Sequence, residues 1–181
     1  MTAAEYLEWE RRQDQKHEFL DGEVFLQAGG TRRHSLISSN ISGELRTRLK
    51  NVDCESLNSD MRVLVEATGL HAYPDASVVC PPIEGDSDDV ITNPVLIAEV
   101  LSPSKADFDR GGKFGHYRQI PSLRDYLVIY QDTARVEHHR RTVDNDWLLH
   151  EVFGTEHVLE LPSLKISLPL TEIYAKVDFD E

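Results

Sequence analysis

The sequence is poor in cysteine and has no long apolar run, and both shortages narrow the possible classes of protein. Its two cysteines, Cys54 and Cys80, cannot form a disulfide framework and lack the CxxC spacing of a metal site, so we expect them to serve packing alone. No stretch of about 18 apolar residues is present to span a membrane. The N-terminus lacks the basic start and apolar stretch of a signal peptide, which favours a cytoplasmic location.

Several motifs of well-known enzyme classes are also missing. The chain has no GxSxG nucleophile elbow and neither of the GxGxxG and GxxxxGKS/T phosphate loops. The linker over residues 81–94 lacks the glycine and distal glutamate of an EF-hand loop, which argues against calcium. His138 and His139 are adjacent in a predicted strand, so they point to opposite faces and cannot grip one zinc ion together.

Chain length and charge limit the number of domains and the kinds of binding partner. A chain of 181 residues is within the usual range for one domain, and we predict a single domain over residues 1–181. Lys and Arg number 19 against 32 Asp and Glu, and the net charge of −13 repels nucleic acid at long range. Residues 31–50 and 103–125 nevertheless hold a local excess of basic side chains. The protein could therefore still present a basic surface, although its net charge is negative.

Hydrophobic periodicity predicts a chain of mixed helices and strands. A capping box over residues 2–5 opens a short helix toward residue 15, and an apolar stripe predicts a second helix over residues 33–50. A third helix follows a second capping box at residues 104–107 and stops before Pro121, and a short one follows Pro169. Strands are predicted over residues 23–28, 60–66, 75–80, 95–101, 126–130, 134–141 and 147–153. We expect the second, third and fourth of these strands to be neighbours in a meander.

A carboxylate inside an apolar strand is the most informative feature. Glu99 lies in the run VLIAEVL, and an ionised carboxylate buried there without a partner costs several kcal/mol. Asp75 directly follows Pro74 at the entrance to the strand over residues 75–80. If the two strands pair, the two acids can converge. Carboxylate oxygens are ligands for Mg²⁺, and Mg²⁺ so held can promote phosphodiester hydrolysis.

The helix after Glu99 offers a third element. Asp109, Lys113 and Tyr117 recur at four-residue spacing and therefore line one helical face. From that face the Lys113 ammonium could reach the attacking water or the scissile phosphate. An ordinary surface ion pair between Asp109 and Lys113 is the alternative interpretation.

Three other residues are candidates for a supporting role, each with a plainer alternative. Glu18 could supply a third carboxylate or be an exposed acid at a helix end. Asp60 could lie at the same sheet edge or cap local backbone amides in a turn. His34, near the start of the basic helix, could meet a phosphate with help from the helix amides, or be a surface histidine without a role.

Taken in order, the motifs resemble one known family. They are HEFLDGE at 17–23, RH at 33–34, YPD at 73–75, AEVLSPS at 98–104, and DRGGK at 109–113 followed by Tyr117. Together they resemble the Uma-type family of putative restriction endonucleases over nearly the whole chain. The resemblance implies an α/β fold with a mixed sheet. The resemblance also implies a restriction-endonuclease-like αβββαβ core of the PD-(D/E)xK superfamily, with an extra N-terminal helix and strand and extra C-terminal strands.

The same resemblance implies Mg²⁺-dependent cleavage of DNA, with Mn²⁺ as a substitute, and often a homodimer. By this likeness Asp75 and Glu99 are the metal-binding acids. The superfamily lysine belongs two residues after the strand glutamate, where this chain has Leu101. Lys113 is the natural replacement, and Lys105 in the intervening turn is the alternative.

If neither lysine reaches the site, the chain is a catalytically silent nuclease-fold module for dimerisation or partner binding. RNA is also open as a substrate, although the sequence shows no aromatic array of the kind that stacks single-stranded bases.

Overall fold

In the computed structural model, which describes residues 1–27, 29–85, 87–101 and 112–180, the chain combines helices with mixed sheets. The helices are α1 (Ala3–Glu10), α2 (Arg32–Arg48), α3 (Phe114–Tyr117) and α4 (Leu170–Ile173). The strands are β1 (His17–Leu20), β2 (Glu23–Leu26), β3 (Glu55–Asn58), β4 (Arg62–Val65), β5 (Leu70–Ala72), β6 (Ala76–Val79), β7 (Val90–Ile91), β8 (Pro94–Leu101), β9 (Asp125–Tyr130), β10 (Arg135–Arg141), β11 (Trp147–Phe153), β12 (Val158–Leu161) and β13 (Ile166–Pro169). Among these described residues, no helix is both long and apolar enough to cross a membrane.

A six-stranded sheet forms the centre of the fold, with the strand order β11-β10-β9-β8-β6-β3. β8 and β9 run parallel, whereas β3, β6 and β8 pair antiparallel. Read along the chain, α2, β3, β6, β8, α3 and β9 follow the αβββαβ order, and β10 and β11 extend the sheet beyond β9. The predicted mixed fold with this core is therefore confirmed.

The other large sheet has five strands in the order β2-β1-β5-β4-β7. β4 corresponds to the strand predicted over residues 60–66, but it belongs to this sheet and does not neighbour β6. Gly69, with a φ of +72°, closes a tight turn in which its N–H donates to the Val65 carbonyl at 2.8 Å. The chain returns as β5 and pairs with β4, so the predicted meander is wrong for β4 and correct for β6 and β8.

The hydrophobic core lies on both faces of the six-stranded sheet. On one face the α2 stripe of Ile37, Ile41 and Leu45 packs against residues of β6 and β8, as the four-residue spacing predicted. On the other face side chains such as Ile97 and Tyr126 pack against the five-stranded sheet. Burial on both faces explains why β8 is a nearly continuous apolar run.

The N-terminal region confirms one expectation and corrects another. Thr2 and Glu5 form the predicted capping box, in which each side chain accepts a hydrogen bond from the other residue's backbone N–H. α1 ends at Glu10, earlier than expected, because the chain turns back and the Glu10 carboxylate accepts from the His17 backbone N–H at 2.8 Å. The predicted strand after residue 22 is the second half of a hairpin, and its first half, β1, was not predicted.

The two cysteines also depart from expectation. Cys54 and Cys80 form a disulfide, so the prediction that they serve packing alone is wrong. β3 and β6 pair with Glu55 opposite Val79, which places the two cysteines opposite each other one step beyond that pair. Sequence analysis did not predict β3, the strand whose pairing with β6 brings the two cysteines together, and so it did not identify this bond.

Candidate active site

The pairing of β6 with β8 brings the backbone segments that carry the two acids close to each other. Ala76 is opposite Ala98 and Ser77 is opposite Ile97 in an antiparallel register. Asp75 lies one residue before β6, so the ladder itself stops short of the pair formed by Asp75 and Glu99. The described contacts of the Asp75 carboxylate are with α2 and with the β8 backbone, whereas Glu99 contacts side chains packed on the other face of the sheet. Both are buried, with 8% of Asp75 and 4% of Glu99 exposed.

Three groups from two elements hold the Asp75 carboxylate. Its Oδ2 atom accepts a hydrogen bond from the backbone N–H of Val100 at 2.7 Å, and its Oδ1 atom accepts from Ser38 Oγ at 3.0 Å. His34 Nε2 lies 3.4 Å from Oδ2. His34 and Ser38 are four residues apart in α2 and so share a helical face, and Thr31 caps this helix by accepting from the His34 N–H.

Glu99 belongs to a second group of buried side chains. Its Oε1 atom accepts a hydrogen bond from Lys113 Nζ at 3.2 Å and another from the Tyr117 hydroxyl at 3.0 Å. Lys113 Nζ also donates to Glu18 Oε1 at 2.8 Å. The shared contact with Glu99 confirms that Lys113 and Tyr117 face the same side.

Burial dominates the electrostatics around Tyr117. Desolvation raises the pKa of its hydroxyl well above the ordinary value, and the nearby Glu99 and Glu18 carboxylates raise the pKa further. The phenol therefore stays protonated and acts as a donor to Glu99. This fixed donor helps hold the Glu99 carboxylate in one orientation within the sheet.

Carboxylate oxygens are the type of ligand that a hard divalent cation takes. Among the groups just named, Glu18, Asp75 and Glu99 carry three formal negative charges, and Lys113 carries a positive one. Mg²⁺ is commonly bound through one or two carboxylates and keeps several waters. Within the described part of the chain, no cluster of three or more His, Cys, Asp and Glu side chains could hold a metal. A cation at Asp75 and Glu99 would therefore rely on water for its remaining ligands.

The residues predicted to have a supporting role lie in different environments. Glu18 is a buried β1 residue with 4% exposure, so the interpretation as an exposed helix-end acid is wrong. Asp60 is a surface residue in a 2.6 Å ion pair with Lys16, which lowers the pKa of its carboxyl group, and the described contacts do not join it to Asp75 or Glu99. Asp109 and Lys105, together with the capping box at 104–107, lie outside the described residues.

Two contacts of Asp75 were missed by sequence reasoning. A serine four residues after His34 in a predicted helix is a weak signal, because serine is common on exposed helix faces. The Val100 N–H carries no sequence signal, since every residue except proline has this donor. Only the register between β6 and β8 could have pointed to it.

The adjacent histidines of β10 lie in separate environments, as strand alternation predicted. His138 Nε2 is 2.6 Å from the buried Asp125 carboxylate. The His139 ring packs instead against Phe114 and Tyr126.

Residues 3–171 match the model of the Uma2 family, which is described as a putative restriction endonuclease. The chain belongs to the Uma2 family. The motif resemblance noted in the sequence is thereby confirmed. Two Synechocystis sp. relatives of this Uma2 chain are uncharacterized proteins. slr1290 is 38% identical over 179 residues, covering 99% of this chain and 94% of the relative. sll1609 is 40% identical over 168 residues, covering 92% and 95% respectively.

A solved structure shares the fold of this Uma2 chain. It is the crystal structure of a putative nuclease belonging to DUF820 from Anabaena variabilis, with a TM-score of 0.79. The match covers 97% of this chain and 98% of the other at 17% sequence identity, and it therefore shows similarity of fold alone. Together with the family match, it supports a nuclease-like fold.

Proposed function

We propose that this Uma2 protein is a Mg²⁺-dependent endonuclease that hydrolyses DNA phosphodiester bonds, with Mn²⁺ as a substitute. One observation supports the proposal: Glu99, a carboxylate buried in β8, contacts Lys113, and Asp75 directly precedes β6, the strand that pairs with β8. This combination of two acids and a lysine supports hydrolytic chemistry on a nuclease-like fold.

Each residue has a distinct role in the proposed reaction. Asp75 and Glu99 would hold the cation, which supplies a Lewis acid that polarises the scissile phosphate. Lys113 orients the attacking water and offsets negative charge on the phosphate, and Glu18 fixes its ammonium in position. The attacking water gives up one proton to solvent as its oxygen forms a bond to phosphorus, one phosphorus–ester oxygen bond breaks, and the departing oxygen takes up a proton from solvent.

A plasmid nicking assay tests the proposal. Purified protein is incubated with supercoiled plasmid and Mg²⁺ or Mn²⁺, alongside Asp75→Ala, Glu99→Ala and the exposed-carboxylate control Asp60→Ala. We expect the first two variants to lose at least about 100-fold in nicking rate, because each removes a ligand of the cation. Asp60→Ala should retain the wild-type rate. Equal nicking by all four proteins would assign the activity to a contaminant.

The alternative function is a catalytically silent module that binds a partner. It is favoured by Leu101, a buried residue of the apolar core that occupies the position of the superfamily lysine. Calorimetric titration with Mn²⁺ separates the two functions. An endonuclease should bind the ion with an affinity that Asp75→Ala abolishes, whereas a silent module should show no Asp75-dependent binding.

We further propose that the protein works as a cytoplasmic homodimer, because a duplex cut favours two sites related by symmetry. β11 is an edge strand of the six-stranded sheet, and its Leu148, Leu149 and Phe153 side chains are each about half exposed. Exposed apolar residues on an edge strand suit pairing with a second copy. Sedimentation velocity should give a dimer for the wild type and a monomer for Leu149→Lys, and a monomeric wild type would contradict the proposal.

A further inference from the structure

A polar groove of about 600 Å³ opens beside Asp75. One wall is the exposed side of α2, where Ser35, Ser38, Ser39 and Ser42 follow one another at helical spacing. Lys16 contributes from the segment before β1. The groove therefore leads directly to one of the two acids proposed to bind the cation.

The groove is lined mainly by polar side chains. Among its described lining residues the imidazole of His34 is the one aromatic ring, and there is no aliphatic, phenyl, phenol or indole side chain. Hydroxyl and amide groups predominate, and Asp75 is the one carboxylate in the described lining. Gln27 also lines the groove, and its buried Oε1 atom has no hydrogen-bond partner in the described part of the protein.

A lining of hydroxyl and amide groups suits the sugar–phosphate backbone of a nucleic acid. Serine, asparagine and glutamine side chains commonly contact phosphate and sugar oxygens. On a chain with a net charge of −13, a groove with a single described carboxylate offers an anionic strand an approach with little local repulsion. Arg32 lies beside Ser35 and Ser39 along the same helix and adds positive charge near one end.

We infer that this groove holds the sugar–phosphate backbone of a nucleic-acid strand, through neutral hydroxyl and amide contacts and without reading the bases. The inference rests on the proposed function, because it takes Asp75 as the place where the strand is cut. Lys16 is the described lining residue with a permanent positive charge, and it also pairs with Asp60 at 2.6 Å. The groove should therefore contribute a shallow salt dependence, with a slope no steeper than about −1 in log affinity against log salt.

Fluorescence anisotropy with a labelled DNA duplex and an RNA duplex of the same sequence tests this inference, in EDTA so that no cleavage occurs. Ser39→Glu places a negative charge on the exposed groove wall and should weaken binding at least about tenfold through like-charge repulsion. Thr47→Glu is the matched control, since Thr47 is exposed on the same helix but does not line the groove. It should bind as the wild type does, and circular dichroism establishes that both variants are folded.

The outcomes separate this inference from the proposed function. Weakening by Ser39→Glu alone supports the groove, and the better-bound duplex identifies DNA or RNA as the source of the strand. If plasmid is cut normally but Ser39→Glu binds like the wild type, the groove inference is overturned and the endonuclease proposal stands. If plasmid is never cut but Ser39→Glu still weakens binding, the groove stands and the endonuclease proposal fails. A wild-type protein that binds neither duplex overturns the groove inference.

Discussion

Lys113 Nζ lies 2.8 Å from Glu18 Oε1, although the two residues are 95 positions apart in the chain. The same nitrogen lies 3.2 Å from Glu99 Oε1, and each of the three residues is at least 96% buried. If one charged side chain of this cluster is removed, the opposite charges that it paired with stay buried without a partner, where water cannot solvate them. The contact therefore links the stability of the fold to the proposed catalytic residues.

Replacing Lys113 should destabilise the protein strongly. Lys113→Met leaves Glu18 and Glu99 without this ammonium, and we expect the free energy of unfolding to fall by about 3–5 kcal/mol. Urea denaturation followed by circular dichroism measures the change. Adding Glu18→Gln should recover part of the loss, because it removes one of the two uncompensated carboxylates.

Lys16→Met is the matched control for this prediction. Lys16 pairs with Asp60, whose side chain is 76% exposed, so water already screens that ion pair. We expect a loss below about 1 kcal/mol. A similar loss in Lys16→Met and Lys113→Met would contradict the special role of the buried cluster.

Ser38→Ala should weaken cation binding at Asp75. The substitution removes the donor to Asp75 Oδ1, so the carboxylate is less firmly oriented. A loss of about 1 kcal/mol corresponds to roughly a fivefold lower Mn²⁺ affinity, which calorimetric titration can resolve. Ser38→Thr retains a hydroxyl and should restore most of the affinity. Ser35→Ala changes an exposed serine of the same helix and is the control; an equal effect there would contradict the assignment.

Reduction of the Cys54–Cys80 disulfide should lower stability. The bond joins residues 26 positions apart, and losing it frees the unfolded chain from a closed loop. We expect dithiothreitol to reduce the free energy of unfolding by about 2–4 kcal/mol. The double variant Cys54→Ser with Cys80→Ser should not respond to dithiothreitol.

A thiol titration of protein prepared rapidly from cells shows whether this bond exists in vivo. Disulfides are rare in reducing compartments, so the result also bears on the proposed cytoplasmic location. A wild-type protein whose stability is unchanged by dithiothreitol would contradict the stabilising role of the bond.

Stability should also decrease in mildly acidic solution because of His139. Burial lowers the pKa of its imidazole, and the nearby Glu137 carboxylate opposes part of that shift. Since the folded pKa is below the unfolded value of about 6.5, the unfolded chain binds more protons between these two values. The free energy of unfolding should therefore fall as the pH drops below about 6.5.

His139→Phe should flatten this part of the pH profile, as measured by urea denaturation at a series of pH values. Phenylalanine can retain the ring packing against Phe114 and Tyr126 without a titrating group. His150→Gln, at an exposed histidine of the neighbouring strand, is the matched control. The same flattening in His150→Gln would contradict the assignment to His139.

Local patterns predicted the elements that carry strong periodicity. The stripe of Ile37, Ile41 and Leu45 predicted α2, and the apolar run around Glu99 predicted β8. Short strands such as β1, β3 and β5 were missed because three or four residues carry too little pattern to be recognised. Those omissions concealed both the disulfide and the position of Glu18.

The sequence by itself determined the family, the long helix and the unusual carboxylates at Asp75 and Glu99, since these depend on residue identity and local spacing. Only the tertiary structure decided that Asp75 meets Ser38 and the Val100 N–H, and that Lys113 lies between Glu18 and Glu99. These contacts depend on strand register and on the packing of distant segments. Both are set by the burial of the whole core, which no short stretch of sequence encodes.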